Sequence, residues 1–148
     1  MIIGLACDHA GFELKDKLLG YLIDKGIKTV NFGTNSADPV DYPQYAHNLA
    51  RAVENHEVDF GISVCGSGNG ISIAANKHQG IRSAVCWNKE IGHLARSHND
   101  ANICSLPGRF ITFEVAVEIV NEFLNTSFEG GRHIARVNAI PVAECIGK

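Results

Sequence analysis

Short apolar runs alternate along this chain with longer stretches in which apolar residues return every three or four positions. MIIGLAC is followed by FELKDKLLGYLIDKG, TVNFG by YPQYAHNLARAVEN, FGISVCG by GISIAANK, SAVCW by KEIGHLARS, and ICSL by FEVAVEIVNEFLN. The runs have the length of buried strands and the stretches have helical period. Strand and helix in strict alternation predict a five-stranded parallel sheet covered on both faces, because parallel strands need a crossover and the crossovers bury the sheet. In the first helix Phe12, Leu14, Leu18, Leu19, Leu22 and Ile23 form the apolar stripe. Lys15, Asp16, Lys17 and Asp24 fall largely outside it, and Gly26 supplies the stop. Val115, Ile119, Val120 and Phe123 form the stripe of the fifth helix. With no linker, repeat or low-complexity tract, residues 1–148 read as a single domain whose C-terminal extension starts at about Glu129.

Composition narrows the function. An apolar content of 45% in 148 residues suits one core. The formal charge of −3 provides no basic field for nucleic acid, so any anion must be met by a local cluster. Cys7, Cys65, Cys86, Cys104 and Cys145 are odd in number and form no CxxC pair, which argues against a disulfide framework or a cysteine zinc site and for a reducing compartment. The first apolar run is short and lacks the basic leader of a secretory signal. No later run approaches the roughly 18 apolar residues of a membrane span. A soluble, cytoplasmic protein with neither nucleic acid nor membrane as partner is expected.

In open parallel sheets ligands bind beyond the carboxyl ends of the strands, so the residues after each apolar run come first. Cys65-Gly66-Ser67-Gly68-Asn69-Gly70 sits at such a strand-to-helix turn. Its amides can cradle an anion, and the same field stabilises a thiolate at Cys65. The segment also reads as a tight glycine turn with Cys65 as a small buried hydrophobe. Other loop chemistries fail on spacing. Gly61 and Gly66 are followed by no lysine, the GxGxG spacing is not that of dinucleotide binding, and a CxxxxxR phosphatase would need arginine where Ile71 stands.

Asp8 and His9 follow the first strand, where a carboxylate and an imidazole can handle hydroxyl protons; Asp8 also suits a helix cap at the Gly11–Phe12 turn. His98, in Ser97-His98-Asn99-Asp100, suits either catalysis or a helix C-terminus. His93 and His98 are five apart and do not chelate a metal from one helix face. Arg132 and Arg136 share a face if EGGRHIARV is helical and can grip a phosphate, with Arg109 as a third, or can equally be solvated surface. His47, His56, His78 and His133 read as ordinary polar positions.

Taken together, CDHAG, DYP, CGSGNGISIAANK, GIRSAVC, ARSHNDAN and EGGRHIARV resemble, in order and over nearly the whole chain, the ribose-5-phosphate isomerase B family. That wider family includes galactose-6-phosphate isomerase subunits and allose-6-phosphate isomerase. The resemblance implies a Rossmann-like three-layer αβα sandwich, assembled as a homodimer or dimer of dimers with active sites shared between subunits. It implies an aldose–ketose isomerase of the pentose phosphate pathway working on a sugar phosphate through an enediolate, with no cofactor and no metal. Cys65 is then the base that moves a proton between C1 and C2, with the amides of Gly66, Ser67, Gly68, Asn69 and Gly70 as the oxyanion cradle. His98 assists ring opening with Asp8 nearby, Ser67 shifts protons between oxygens, and Asn99 contacts the sugar. His9, Arg109, Arg132 and Arg136 contact the phosphate. Members without the cysteine use a glutamate directly after the glycines, where this chain has Ile71; many thiol-branch members have threonine where this chain has Ser67. A hexose 6-phosphate isomerase and a non-catalytic sugar-phosphate or nucleotide-binding module remain as alternatives.

Overall fold

The computed structural model describes residues 1–143. Its elements are β1 (Ile2–Cys7), α1 (Phe12–Asp24), β2 (Lys28–Asn31), α2 (Tyr42–Glu54), β3 (Phe60–Cys65), α3 (Asn69–Ala75), β4 (Ser83–Val85), α4 (Lys89–Ser97), β5 (Ile103–Pro107) and α5 (Phe113–Asn125). A 3-10 turn (Gly131–His133) and α6 (Ile134–Asn138) follow. The alternation expected from the apolar runs is therefore present throughout. Cys145 lies outside the described residues.

The sheet has five strands in the order β2-β1-β3-β5-β4, all parallel. The chain steps from β1 outward to β2 and then returns to β3 on β1's other side, so its direction of winding reverses between β1 and β3. At that switch Cys7 is level with Val64, which puts the residues after β1 beside the residues after β3 at the carboxyl edge.

Side-chain alternation along the strands builds two cores. Ile3, Leu5, Ile62 and Val64 pack under Leu18 and Leu22 of α1, Ala95 of α4, and Ile119 and Phe123 of α5. Ala6, Cys65 and Ile103 face the other way, toward Leu49 and Ala50 of α2 and Ile71 and Ala75 of α3. Each fully buried Leu, Ile or Phe contributes about 1.5–3 kcal/mol. Local caps set the helix starts: Asn88 Oδ1 accepts from the Ile91 amide at 2.9 Å and Thr112 Oγ1 from the Val115 amide at 3.3 Å.

Two positions in the first helix depart from the expected stripe. Ile23 is 55% exposed, because it sits a further 100° round from Leu22 in the last turn. Lys15, expected outside the stripe, is fully buried. Its Nζ donates to Asn31 Oδ1 at 3.1 Å and lies 5.4 Å from the Phe12 ring centroid, so the ammonium has a polar partner and an aromatic face in place of water.

Candidate active site

β3 ends at Cys65, and the chain must reverse into α3 within a few residues. Gly68 takes φ +77°, a conformation that side chains resist, and a Cβ there would stand 3.1 Å from the Leu106 carbonyl carbon. This turn directs the Gly68 amide back at the strand end, where it donates to Cys65 Sγ at 3.2 Å. The Asn69 amide donates to Ser67 Oγ at 3.2 Å. The loop after β5 locks on from the side: Gly108 N donates to Cys65 O at 2.8 Å and Arg109 N to Gly66 O at 3.0 Å. Backbone bonds to the Cys65 loop thus hold Arg109 in place.

Cys65 lines a cavity of about 390 Å³ together with Asp8, His9, Ser67, Arg109 and Phe110. Asp8 Oδ1 accepts from the Gly11 amide at 3.0 Å, so the aspartate both shapes the turn into α1 and faces the cavity. His9 Nδ1 accepts from the Val40 amide at 3.2 Å. The Val40 carbonyl oxygen lies 3.3 Å from the same nitrogen, so either tautomer of the ring finds a backbone partner there.

The other described cysteines are all buried and free. Burial pushes the Cys7 thiol up to about 11, against the pull of Lys15. The Cys86 thiol and burial hold Cys104 well above the usual cysteine range. Those two stay neutral thiols, whereas Cys65 sits at a cavity under an amide donor.

The remaining expected site residues lie elsewhere. α4 runs antiparallel to the strands, so His98, its C-terminal cap, sits at the amino edge of the sheet just before β5. Cys65 is level with Pro107 at the far end of β5, a strand length of roughly 16 Å away. The C-terminal extension packs at the His98 end: Glu129 N donates to Ser97 O at 3.0 Å, and the His98 and His133 rings stack with centroids 4.3 Å apart. Arg132 lies in the 3-10 turn and Arg136 in α6, both exposed. Asn99 faces a separate cavity of about 290 Å³ beside Arg82 and Ser83. Within one chain, therefore, Asp8, His9, the 65–70 loop and Arg109 come together, and His98, Asn99, Arg132 and Arg136 belong to the opposite edge.

Three histidines taken as ordinary polar positions need correction. His133 is buried against His98, with Glu129 Oε2 3.7 Å from its Nε2. The i,i+4 spacing of Glu129 and His133 was the signal for it. His78 Nδ1 bonds Glu54 Oε2 at 2.9 Å and its Nε2 bonds His47 Nδ1 at 2.9 Å, a chain that crosses from α2 to the segment after α3. Those two are 31 apart in sequence, so no local pattern reveals them. His93 instead pairs with Glu122 at 2.9 Å.

The family model described as Ribose/Galactose Isomerase matches residues 3–140. The chain belongs to this family. It is 45% identical over 142 residues to ribose-5-phosphate isomerase B of Escherichia coli K12, covering 96% of this chain and 95% of that one. The crystal structure of a ribose 5-phosphate isomerase from Thermotoga maritima superposes with a TM-score of 0.94 at 51% identity, over 95% of this chain and 97% of that one. The Mycoplasma genitalium ribose-5-phosphate isomerase B with bound ribulose 5-phosphate superposes with a TM-score of 0.89 at 38% identity, over 94% and 93% of the two chains. The Rossmann-like αβα sandwich expected of the family is the fold observed. In this ribose/galactose isomerase family chain Ile71 is fully buried against α2, so the residue after the glycines does not face the Cys65 cavity.

Proposed function

We propose that this chain is an aldose–ketose isomerase that interconverts D-ribose 5-phosphate and D-ribulose 5-phosphate through an enediolate, with Cys65 as the base. The observation that carries the reading is the Gly68 amide bonded to Cys65 Sγ at the wall of a cavity shared with Asp8, His9 and Arg109. The names of the E. coli and T. maritima relatives and the ketose bound in the M. genitalium enzyme support the substrate.

In the aldose-to-ketose direction the Cys65 thiolate removes the C2 proton, the electron pair moves onto the C1 oxygen, and the thiol returns the proton to C1. Ser67 carries the hydroxyl proton from O2 to O1. Thiolate and enediolate charges do not coexist in full, because the base is neutralised as the oxyanion develops, so one electropositive loop serves both stages. A preorganised donor of this kind is worth on the order of 3 kcal/mol in the transition state. Arg109 and His9 meet the phosphate.

The remaining residues come from a second copy. His98 for ring opening, Asn99 for the sugar, and Arg132 and Arg136 for the phosphate sit about one strand length from Cys65 in their own chain, so a homodimer, alone or paired into a tetramer, completes each site. The exposed Phe110, 77% accessible on the cavity wall, fits such an interface. No described helix is long and apolar enough to cross a membrane. The cytoplasm and the pentose phosphate pathway are the setting this chemistry fits.

Ribulose formation from ribose 5-phosphate, followed in the presence of EDTA, tests the reaction, and the same assay with allose 6-phosphate tests chain length. The expected result is metal-independent turnover with the larger kcat/KM for the pentose. Binding of ribose 5-phosphate without turnover would leave only a sugar-phosphate-binding module.

A further inference from the structure

His98, Glu129 and His133 form a cluster that the isomerisation scheme uses only in part. Glu129 Oε2 lies 3.9 Å from His98 Nε2 and 3.7 Å from His133 Nε2, and the three donor atoms fall within 4.8 Å of one another. His133 is 6% exposed, and its Nε2 is buried with no hydrogen-bond partner among the described residues. Buried polar atoms are almost always paired, so this unpaired nitrogen, aimed at a carboxylate too distant to bond, points to a ligand between them.

Two imidazole nitrogens and a carboxylate oxygen are the donor set of a zinc-class divalent metal, with a fourth position open to water. Donors on a tetrahedral metal stand about 3.4 Å apart for bonds near 2.1 Å. The two imidazole–carboxylate gaps therefore need to close by only a few tenths of an ångström, whereas the gap between the imidazole nitrogens, which is within 4.8 Å, needs up to about 1.4 Å. The rings are 18° from parallel, so their lone pairs converge only if one imidazole turns. His98, with its side chain 35% exposed at the end of α4, has room to do so, and Glu129 is more exposed still.

A metal takes a histidine nitrogen in its bare form, and His133 Nε2 has no hydrogen-bond partner among the described residues to compete for it. Arg132 and Arg136, in the same short segment, oppose a cation, so the expected affinity falls well short of that of a structural zinc. We propose that His98, Glu129 and His133 form a reversible Zn²⁺-class site, and that its occupation inhibits the enzyme by tying up the His98 imidazole. The inhibitory half rests on the proposed ring-opening role of His98, and the binding half does not.

Calorimetric titration of the full chain with ZnCl₂ in phosphate-free buffer reads the site directly. One Zn²⁺ per chain is expected, with affinity at least tenfold weaker in Glu129→Gln, an exposed and fold-tolerant change, and in His133→Asn. Co²⁺ in place of Zn²⁺ should give visible tetrahedral bands without sulfur-to-metal charge transfer. No Zn²⁺ binding, an unchanged affinity in Glu129→Gln, or a thiolate charge-transfer band would overturn the site. Turnover of ribose 5-phosphate should fall with Zn²⁺, recover with EDTA, and need at least tenfold more Zn²⁺ to fall in Glu129→Gln. Stoichiometric, Glu129-dependent binding with turnover untouched would overturn the inhibitory half alone. An absence of isomerase activity would refute the function proposed above while the titration still decides the metal site.

Discussion

In the proposed mechanism residue 65 has to be sheltered from bulk water and yet meet a substrate. The fold manages both by ending a buried strand there: Cys65 is 4% exposed, but it lies on a cavity wall under the Gly68 amide. Replacing the sulfur should therefore remove the chemistry and spare the phosphate grip. Cys65→Ala is expected to lower kcat by about 10³-fold, the range of a lost general base, with competitive-inhibitor binding within a few-fold of the parent. Turnover comparable to the parent would refute the thiol base. Nearby, Gly11 makes room for the strand edge, since a Cβ on it would lie 2.3 Å from the Val64 carbonyl oxygen, a backbone atom that cannot step aside. Gly11→Ala should destabilise the fold by about 3 kcal/mol, an overpacking cost, seen as a lower midpoint in urea. The cysteine and the glycines were legible in the sequence because a strand-to-helix turn needs them at fixed spacing. Cys65 is singled out by its place at the carboxyl end of a strand, but the sequence leaves open whether its sulfur meets a cavity or is only a small buried hydrophobe, because that depends on how the loop after β5 and the turn into α1 pack around it.

At the level of elements, α2 and the segment after α3 are tied by the Glu54–His78–His47 chain, with Glu54 Oε1 also accepting from the Gly80 amide at 2.9 Å. Burial alone would raise the Glu54 carboxyl, but the Gly80 amide and His78 outweigh it and bring it below its ordinary value of 4.5. A depressed carboxyl stabilises the fold above the unfolded value and loses that contribution as pH falls through the folded one. Glu54→Gln should lower stability by about 1–2 kcal/mol near neutrality. The gap from the parent in thermal midpoint should narrow as pH is taken from about 6 to about 3; a constant gap would mean that the carboxylate charge contributes nothing. The helices themselves were legible from period and caps. Their polar cross-links were not, because His47 and His78 meet only after two elements have packed.

For the molecule as a whole, the two groups of proposed site residues lie at opposite edges of one sheet, and the proposed homodimer is the assembly that would bring them together. Mixing Cys65→Ala with His98→Asn after co-refolding tests this. Each variant alone should be nearly inactive, and the mixture should recover about one quarter of parental activity, because half the dimers are mixed and each holds one intact site. No recovery would refute the shared site. Pattern alone determined the parallel sheet, its two covering layers and the residue types that carry chemistry, since period, turn spacing and burial are local properties of a chain. Tertiary structure decided what sits beside what: the strand order that sets Asp8 and His9 next to Cys65, the packing that buries Lys15 and His133, and the antiparallel run of α4 that carries His98 to the far edge. Those outcomes depend on contacts between residues distant in sequence, which no local spacing records.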